Sequence, residues 1–355
     1  MLLSFGKSKS IMGLDIGSTS VKAVECAVKS RGIEMVRVGV AKLPPEAIVQ
    51  GAFLNSAAVV SAIREAVESA GIKTKSVATA VSGHSVIVKK ISLPSMSREE
   101  LDESIRWEAE QYIPFDINEV NLDFQIIEGS EADGQMDVLL VAAKKDLIDD
   151  YVQVISDAGL QPAVIDVAAF AVENTFHANY ETAPEDVVAL VNIGSQVVNI
   201  NIVSRGAPAF TRDISTGGNA YTEEIQKALS VGWEEAERMK IGGSRHEESQ
   251  DVVPQEVEDA IRQVTDTVLG EISRSLDFFA ATAAESRISR VYLSGGGSQV
   301  SGLEAAFHGK TNLPVERLNP LARVVAASSL DARMLEELGP GLSVAAGLAL
   351  RRMDD

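Results

Sequence analysis

The sequence predicts a two-lobed α/β fold with a small α+β insert in the first lobe. Three observations predict it. A β-rich run that bends at Asp15-Ile16-Gly17-Ser18 returns about 180 residues later as a second run bending at Asn192-Ile193-Gly194-Ser195, a spacing far too long for a solenoid repeat. Each bend is followed by a third apolar run after its own Arg-Gly turn. Between the two copies, residues 84–158 read as strand, helix, two strands and helix, a compact unit of its own. A chain of 355 residues is comfortable for two lobes.

In order, residues 11–28 (IMGLDIGSTSVKAVECAV) give a hairpin in which glycine supplies the turn, and IEMVRVGV adds a strand after Arg31-Gly32. Residues 56–70 carry Val59, Val60, Ile63, Ala66 and Val67 on one helical face, closed by Gly71. Val77–Val81 and Val86–Leu93 are expected strands. Ser97 and Glu100 form the signature of a capping box, opening a helix with Leu101, Ile105, Ala109 and Tyr112 inward and Pro114 as its stop. Val120–Ile127 and Met136–Ala143 are expected strands around the acidic loop Glu128–Gln135, and Lys144–Ala158 a helix. The second copy, VVALVNIGSQVVNINIV with APAFTRDI after Arg205-Gly206, repeats the hairpin. Helices follow at Ala220–Leu229, Trp233–Lys240 and 255–284, with the acidic stretch Gly242–Gln255 as a loop. Val291–Leu293 is a buried strand ending at three glycines. A small-residue helix, Ser343–Arg351, comes last.

Composition narrows the function. Apolar residues make up 45% and aromatics 5%, so the core is built mainly from Ala, Val, Ile and Leu. The net charge of −19, from 51 acidic and 32 basic side chains, repels phosphate backbones and anionic lipid, which argues against general nucleic-acid or membrane binding by charge. A single cysteine, Cys26, allows no intramolecular disulfide and fits a reducing compartment. His84, His177, His246 and His308 are scattered, so no zinc spacing exists. The opening MLLSFGKSKS lacks an apolar signal core, and no run reaches the roughly 18 apolar residues of a spanning helix, so a cytoplasmic chain is expected.

The chemistry-bearing motifs suit a nucleotide. In Asp15 to Lys22, the bend can present backbone N–H groups, Gly17 admits a phosphate closely, and Ser18, Thr19 and Ser20 add hydroxyls. Lys22 adds a cation. Asp15 near phosphates is tolerable only with a cation between, and Mg²⁺ through water is the natural one. Asn192, Gly194, Ser195 and Gln196 offer a matching turn. Glu237 and Lys240 share a helical face, as an ion pair or as ribose ligands. Gly295, Gly296, Gly297 and Ser298 follow an apolar strand and leave room for a flat base or ribose; Gly217 and Gly218 are a second such place.

The order of these motifs resembles the actin, Hsp70 and sugar-kinase superfamily, over nearly the whole chain. The implied fold is actin-like, or ribonuclease H-like, with residues 166–174 (DVAAFAVEN) and 338–351 (LGPGLSVAAGLALR) as the two connecting helices. The insert resembles the branch that includes FtsA. The runs SGHSVIVKKISLP, EELDESIRWEAEQYIPFD, VNLDFQ and DAGLQPAVIDVAAFAVEN are similar to the PilM family of type IV pilus proteins. That resemblance implies four subdomains: 10–83, 159–186 and 342–355; the partner-binding insert 84–158; 187–226 with 288–341; and 227–287. It implies ATP and Mg²⁺ as ligands, with Asp15 toward Mg²⁺, Gly17–Ser20 and Lys22 on the phosphates, and Gly194–Gln196 on the γ-phosphate side. Glu237 and Lys240 then hold ribose and base, and Gly295–Gly297 flank the adenosine. It implies an N-terminal peptide of the membrane protein PilN in a groove between the insert and the rest of lobe one. The chain would sit at the inner membrane through that partner.

One departure is Asn192, where active superfamily members carry Asp. No confident general base is visible, and Asp166 is read as the N-cap of its helix. Slow ATP hydrolysis at best is therefore expected. An FtsA-like filament-forming protein and, less well supported, a small-molecule kinase remain open alternatives.

Overall fold

The computed structural model describes residues 11–30, 32–127, 134–183, 185–244, 254–283 and 287–351. The apolar N-terminal cluster (Leu2, Leu3, Phe5), Arg31, most of the acidic loop after Ile127, residues 245–253 of the second acidic loop and the tail after Arg351 lie outside the described residues. The chain divides into two compact units, residues 1–81, 151–181 and 318–355, and residues 82–150 and 182–317.

In the first part of the chain, β1 (Met12–Ile16), β2 (Ser20–Lys29) and β3 (Gly32–Lys42) form an antiparallel meander. A short pair, β4 (Ile48–Val49) and β5 (Ala52–Phe53), leads to α1 (Ser56–Ser69) and β6 (Ser76–Val81). Asn55 caps α1, its Oδ1 accepting from Ala58 N–H at 3.1 Å. Asn55→Ala is expected to lower stability by about 1 kcal/mol in urea denaturation. The insert holds β7 (Val86–Pro94), α2 (Arg98–Ala109), β8 (Val120–Ile126) and β9 (Gln135–Lys144). Next come α3 (Lys145–Asp157), β10 (Gln161–Val167) and α4 (Ala168–Asn179). The second repeat is β11 (Val187–Ile193), β12 (Val198–Ser204) and β13 (Ala207–Ile214). It continues with α5 (Gly218–Leu229), α6 (Trp233–Ser244), α7 (Gln255–Thr282), β14 (Arg290–Ser294), α8 (Leu303–Thr311) and β15 (Val315–Arg317). The chain closes with β16 (Val325–Ala326), α9 (Ala332–Leu338) and α10 (Ser343–Ala349).

The sheet of the first unit runs β10-β6-β1-β2-β3-β16, with β1, β6 and β10 parallel. Met12, Leu14, Val21 and Val24 are fully buried, and every residue of α10 is buried, its small side chains letting it lie close to both the sheet and α4. The sheet of the second unit runs β13-β12-β11-β14-β15. Every residue of β11 is buried, as expected of a central strand covered on both faces. Tyr221 of α5, Val257, Val268 and Ile272 of α7 and Phe307 of α8 pack on this sheet.

The insert is an antiparallel sheet in the order β7-β9-β8 with α2 laid across it, Leu101, Ile105 and Ala109 meeting Ile91, Leu93, Val138 and Leu140. The capping box at Ser97 and Glu100 forms as its residues predict. The insert packs with residues 182–317, Thr211 Oγ1 of β13 donating to the Val88 carbonyl of β7 at 3.3 Å.

The structure differs from expectation at four places. Helix α6 runs to Ser244 rather than Lys240, through the first residues of the stretch read as the loop Gly242–Gln255. Helix α2 ends at Ala109 rather than running to Pro114, because residues 110–112 already wind as turns ahead of the proline; Tyr112 is therefore not a helical residue. Residues 161–167 form strand β10, which periodicity did not separate from the helix after it. Asp166 consequently lies in that strand and is not an N-cap: the cap position is Val167, with no side-chain cap bond. Asp166 is buried and pairs with Arg351, Nε to Oδ2 at 2.8 Å. Burial pushes its carboxyl up, while the Arg351 charge pulls it down less strongly.

Candidate functional site

The first bend belongs to β1 and β2, whose register sets Asp15 directly opposite Lys22. Lys22 Nζ lies 3.0 Å from Asp15 Oδ2, and the two side chains are only 19% and 17% exposed for Asp15 and Lys22. Gly17 N–H donates to the Ser20 carbonyl at 3.1 Å, closing the turn, and Leu43 N–H donates to the Thr19 carbonyl at 2.9 Å, pinning it from the end of β3. Thr19 is exposed; Gly17, Ser18 and Ser20 are half-buried. Burial, with the Asp15 charge, holds the Tyr151 phenol well above its usual range.

The second bend belongs to β11 and β12. Gly194 N–H donates to the Val197 carbonyl at 2.9 Å. Behind it, Gly218 N–H donates to the Gly194 carbonyl and Asn219 N–H to the Ser195 carbonyl, both at 2.8 Å. Two carbonyl oxygens that would repel a phosphate are thus turned into the first turn of α5. Gly217 makes this approach possible, since a Cβ there would stand 2.8 Å from the Ser195 carbonyl. Gly295, at φ +80°, lies against β11: a Cβ would meet Asn192 Oδ1 at 2.7 Å. Gly297 is crowded by Ile193, whereas Gly296 is exposed with open space where a Cβ would stand. Ser298 is buried, and its hydroxyl donates to the Gly295 carbonyl at 2.7 Å. The Gly217-Gly218 and Gly295–Gly297 segments therefore meet the Asn192–Gln196 bend backbone to backbone.

Glu237 and Lys240 pair at 2.7 Å on α6. Lys240 Nζ also donates to the Gly218 carbonyl at 3.2 Å, and Thr222 Oγ1 donates to Glu237 Oε2 at 2.5 Å. The pair thereby reaches the start of α5, which backs the second bend. Asp15, Gly17–Ser20 and Lys22 belong to the first unit; the remaining candidate residues belong to the second.

A family described as "Type IV pilus assembly protein PilM" matches residues 13–353. The chain belongs to the PilM family. A solved PilM–PilN type IV pilus biogenesis complex superposes on this PilM-family chain with a TM-score of 0.85 at 30% identity, covering 96% of this chain and 98% of that one. Cell division protein FtsA of Escherichia coli K12 is 26% identical over 258 residues, 66% of this chain and 60% of that protein's length, so the chain spans less than two thirds of it. MreB5 of Spiroplasma citri, solved with ADP bound, shares the fold at 14% identity and a TM-score of 0.50, covering 96% of this chain and 95% of that one. The fold of this PilM-family chain is actin-like.

Sequence reading missed three residues that support the second bend, Ser294, Asn199 and Asp213. Ser294 Oγ donates to Asn192 Oδ1 at 3.2 Å, Asn192 Nδ2 donates to Asn199 Oδ1 at 2.9 Å, and Asn199 Nδ2 donates to Asp213 Oδ1 at 2.8 Å. Gly83 N–H donates to Asp213 Oδ2 at 2.5 Å. Burial pushes the Asp213 carboxyl up, against the pull of Asn199 and Gly83. The available signal was polar residues inside a strand whose neighbours are all apolar, Asn199 and Asn201 in VNINIVS. Among the described residues, no group of three or more His, Cys, Asp or Glu is placed to hold a metal, and no helix is long and apolar enough to cross a membrane.

Proposed function

We propose that this PilM-family chain is an ATP-binding component of a type IV pilus inner-membrane assembly complex, and that its insert captures the cytoplasmic N-terminal peptide of a PilN-like membrane protein. The observation that carries the reading is its 30% identity, along nearly the whole chain, to the PilM of a solved PilM–PilN complex. The chain is then cytoplasmic and peripheral to the inner membrane through that partner, linking the complex to the motor side.

The residues fit a nucleoside triphosphate. The open backbone at Gly296 leaves a bare surface for a flat group, and the carbonyls of the second bend are already turned away from an anion. Gly17, Ser18, Thr19 and Ser20 donate to phosphate oxygens, Lys22 neutralises them, and Asp15 receives Mg²⁺ through water. Gly194, Ser195 and Gln196 close on the γ-phosphate side. Glu237 and Lys240 hold the ribose and base, with Gly217, Gly218, Gly295, Gly297 and Ser298 beside the adenosine. Bound Mg²⁺–ATP supplies the charge that these residues offset. Hydrolysis is slow at best, because the Asn192 amide is spent on Ser294 and Asn199, and Asp166 is held by Arg351. Nucleotide then acts as a switching ligand, through different affinities for two conformations.

In the insert, β7 and α2 receive the peptide. Calorimetric titration of the chain with the first residues of the adjacent pilus membrane protein, with and without Mg²⁺–ATP, tests both halves. Binding of each ligand is expected, and absence of both would leave only the fold. The FtsA likeness keeps a filament-forming reading in play; filaments seen by electron microscopy with ATP would favour it.

A further inference from the structure

We propose that Asp213 is a positioning residue of the nucleotide site, fixing through Asn199 which end of the Asn192 amide faces the Gly295 loop, and tying that site to the root of the insert at Gly83. The proposal rests on the reading of the second bend as a phosphate site. The chain of bonds runs in one direction: Ser294 hydroxyl to Asn192, Asn192 to Asn199, Asn199 to Asp213, with Gly83 N–H arriving at the other Asp213 oxygen. Asn192 and Asn199 are buried, so every amide end must find a partner within the protein.

An ionised carboxylate accepts and never donates. Asp213 therefore fixes Asn199 with its nitrogen toward β13 and its oxygen toward Asn192. Asn192 must in turn spend its nitrogen on Asn199 and turn its oxygen to Ser294 and the Gly295 backbone. Amide chains that end on a charge polarise one another, so the orientation is strongly held. The same logic explains Asn at position 192. A carboxylate there has nothing to donate to Asn199 Oδ1. Turning Asn199 over would set its oxygen against the Asp213 carboxylate. The superfamily's acidic position is neutral in this chain, and the charge stands two strands away at Asp213, where it also holds Gly83. Gly83 has φ +92° and sits between β6 and β7, where the chain enters the insert. A shift of the second bend on binding phosphate reaches the partner-binding insert through three hydrogen bonds.

The test is a charge swap in the full chain, read by calorimetry with Mg²⁺–ATP and by hydrogen exchange over residues 82–90. In the unaltered chain, ATP is expected to slow exchange in that segment. Asn192→Asp is expected to weaken ATP about tenfold and to abolish the ATP-dependent protection. Adding Asp213→Asn reverses the two middle bonds of the chain: Asn199 then donates to position 192 and accepts from position 213, while position 192 still accepts from Ser294 and the amide oxygen at position 213 still takes Gly83 N–H. The paired variant is expected to recover most of the affinity and the protection. Should Asn192→Asp alone not fold, recovery of folding and ATP affinity in the pair is the same rescue. Additive losses in the pair, or ATP binding that leaves residues 82–90 unchanged, overturn the proposal alone. Absence of ATP binding by the unaltered chain overturns the nucleotide reading and this proposal with it.

Discussion

Gly347→Ala is expected to destabilise the first unit by about 3 kcal/mol, read as a lowered urea midpoint. Helix α10 is wholly buried, with its small side chains against α4 on one side and β1 on the other. A Cβ on Gly347 would overlap the Ala171 carbonyl oxygen and lie 2.6 Å from its carbon and 2.9 Å from Thr175 Oγ1. The first two are α4 backbone, which cannot rotate away as a side chain does. Nor can α10 retreat, because Gly13 of β1 already touches its other side, where a Cβ would stand 3.0 Å from Leu348 Cβ and overlap the Ala345 carbonyl oxygen. The Thr175 hydroxyl ties the helices further by donating to the Ser343 carbonyl at 2.6 Å. Alanine's better helix propensity returns at most about 1 kcal/mol, less than the overpacking cost. Gly309 in α8 is the control: nothing lies within 4 Å of its missing Cβ, so Gly309→Ala should be neutral or slightly stabilising. Equal midpoints for the two variants would refute the close crossing.

Local signals were legible because they are complete within a few residues. Both hairpins form where Ile-Gly-Ser interrupts a β-rich run, and α2 starts where Ser97 and Glu100 can bond each other. The end of α2 was misjudged because Pro114 says where a helix cannot continue, not where it stops. Asp166 was misread for a different reason. A carboxylate before a helix looks like a cap until Arg351 arrives from the far end of the chain to pair with it. The relay from Ser294 to Asp213 was invisible for the same reason. Its members lie on four strands and become neighbours only through the register of β14 with β11, of β11 with β12 and of β12 with β13: Ser294 opposite Asn192, Asn192 opposite Asn199, and Asn199 opposite Asp213. The crossing at Gly347 was foreshadowed by the small-residue run AAGLAL, though composition alone did not say which helix it meets. Pairing across strands and helices is a property of the assembled fold, and the site's supporting residues are drawn from it.

Lys22→Met is expected to weaken ATP by at least about a hundredfold at low Mg²⁺, because two effects act in the same direction. In the proposed site the substitution removes the cation that would meet the phosphates, and it uncovers the Asp15 carboxylate that Lys22 now holds at 3.0 Å. With both side chains less than one fifth exposed, water compensates neither loss well. The dependence on Mg²⁺ separates the two. A metal between Asp15 and the phosphates covers the exposed carboxylate, so the Lys22→Met defect should shrink as Mg²⁺ is raised, without vanishing. Asp15→Asn should behave in the opposite way. It leaves Lys22 free to meet the phosphates, so ATP binding without Mg²⁺ should persist or improve, while the gain from added Mg²⁺ is lost. Combining the substitutions should abolish the Mg²⁺ dependence and keep the weak affinity. Calorimetric titrations of ATP across a Mg²⁺ series read all four proteins on one scale. Wild-type affinity for Lys22→Met at every Mg²⁺ concentration would mean that the ion pair only stabilises the hairpin, and that the triphosphate is held elsewhere.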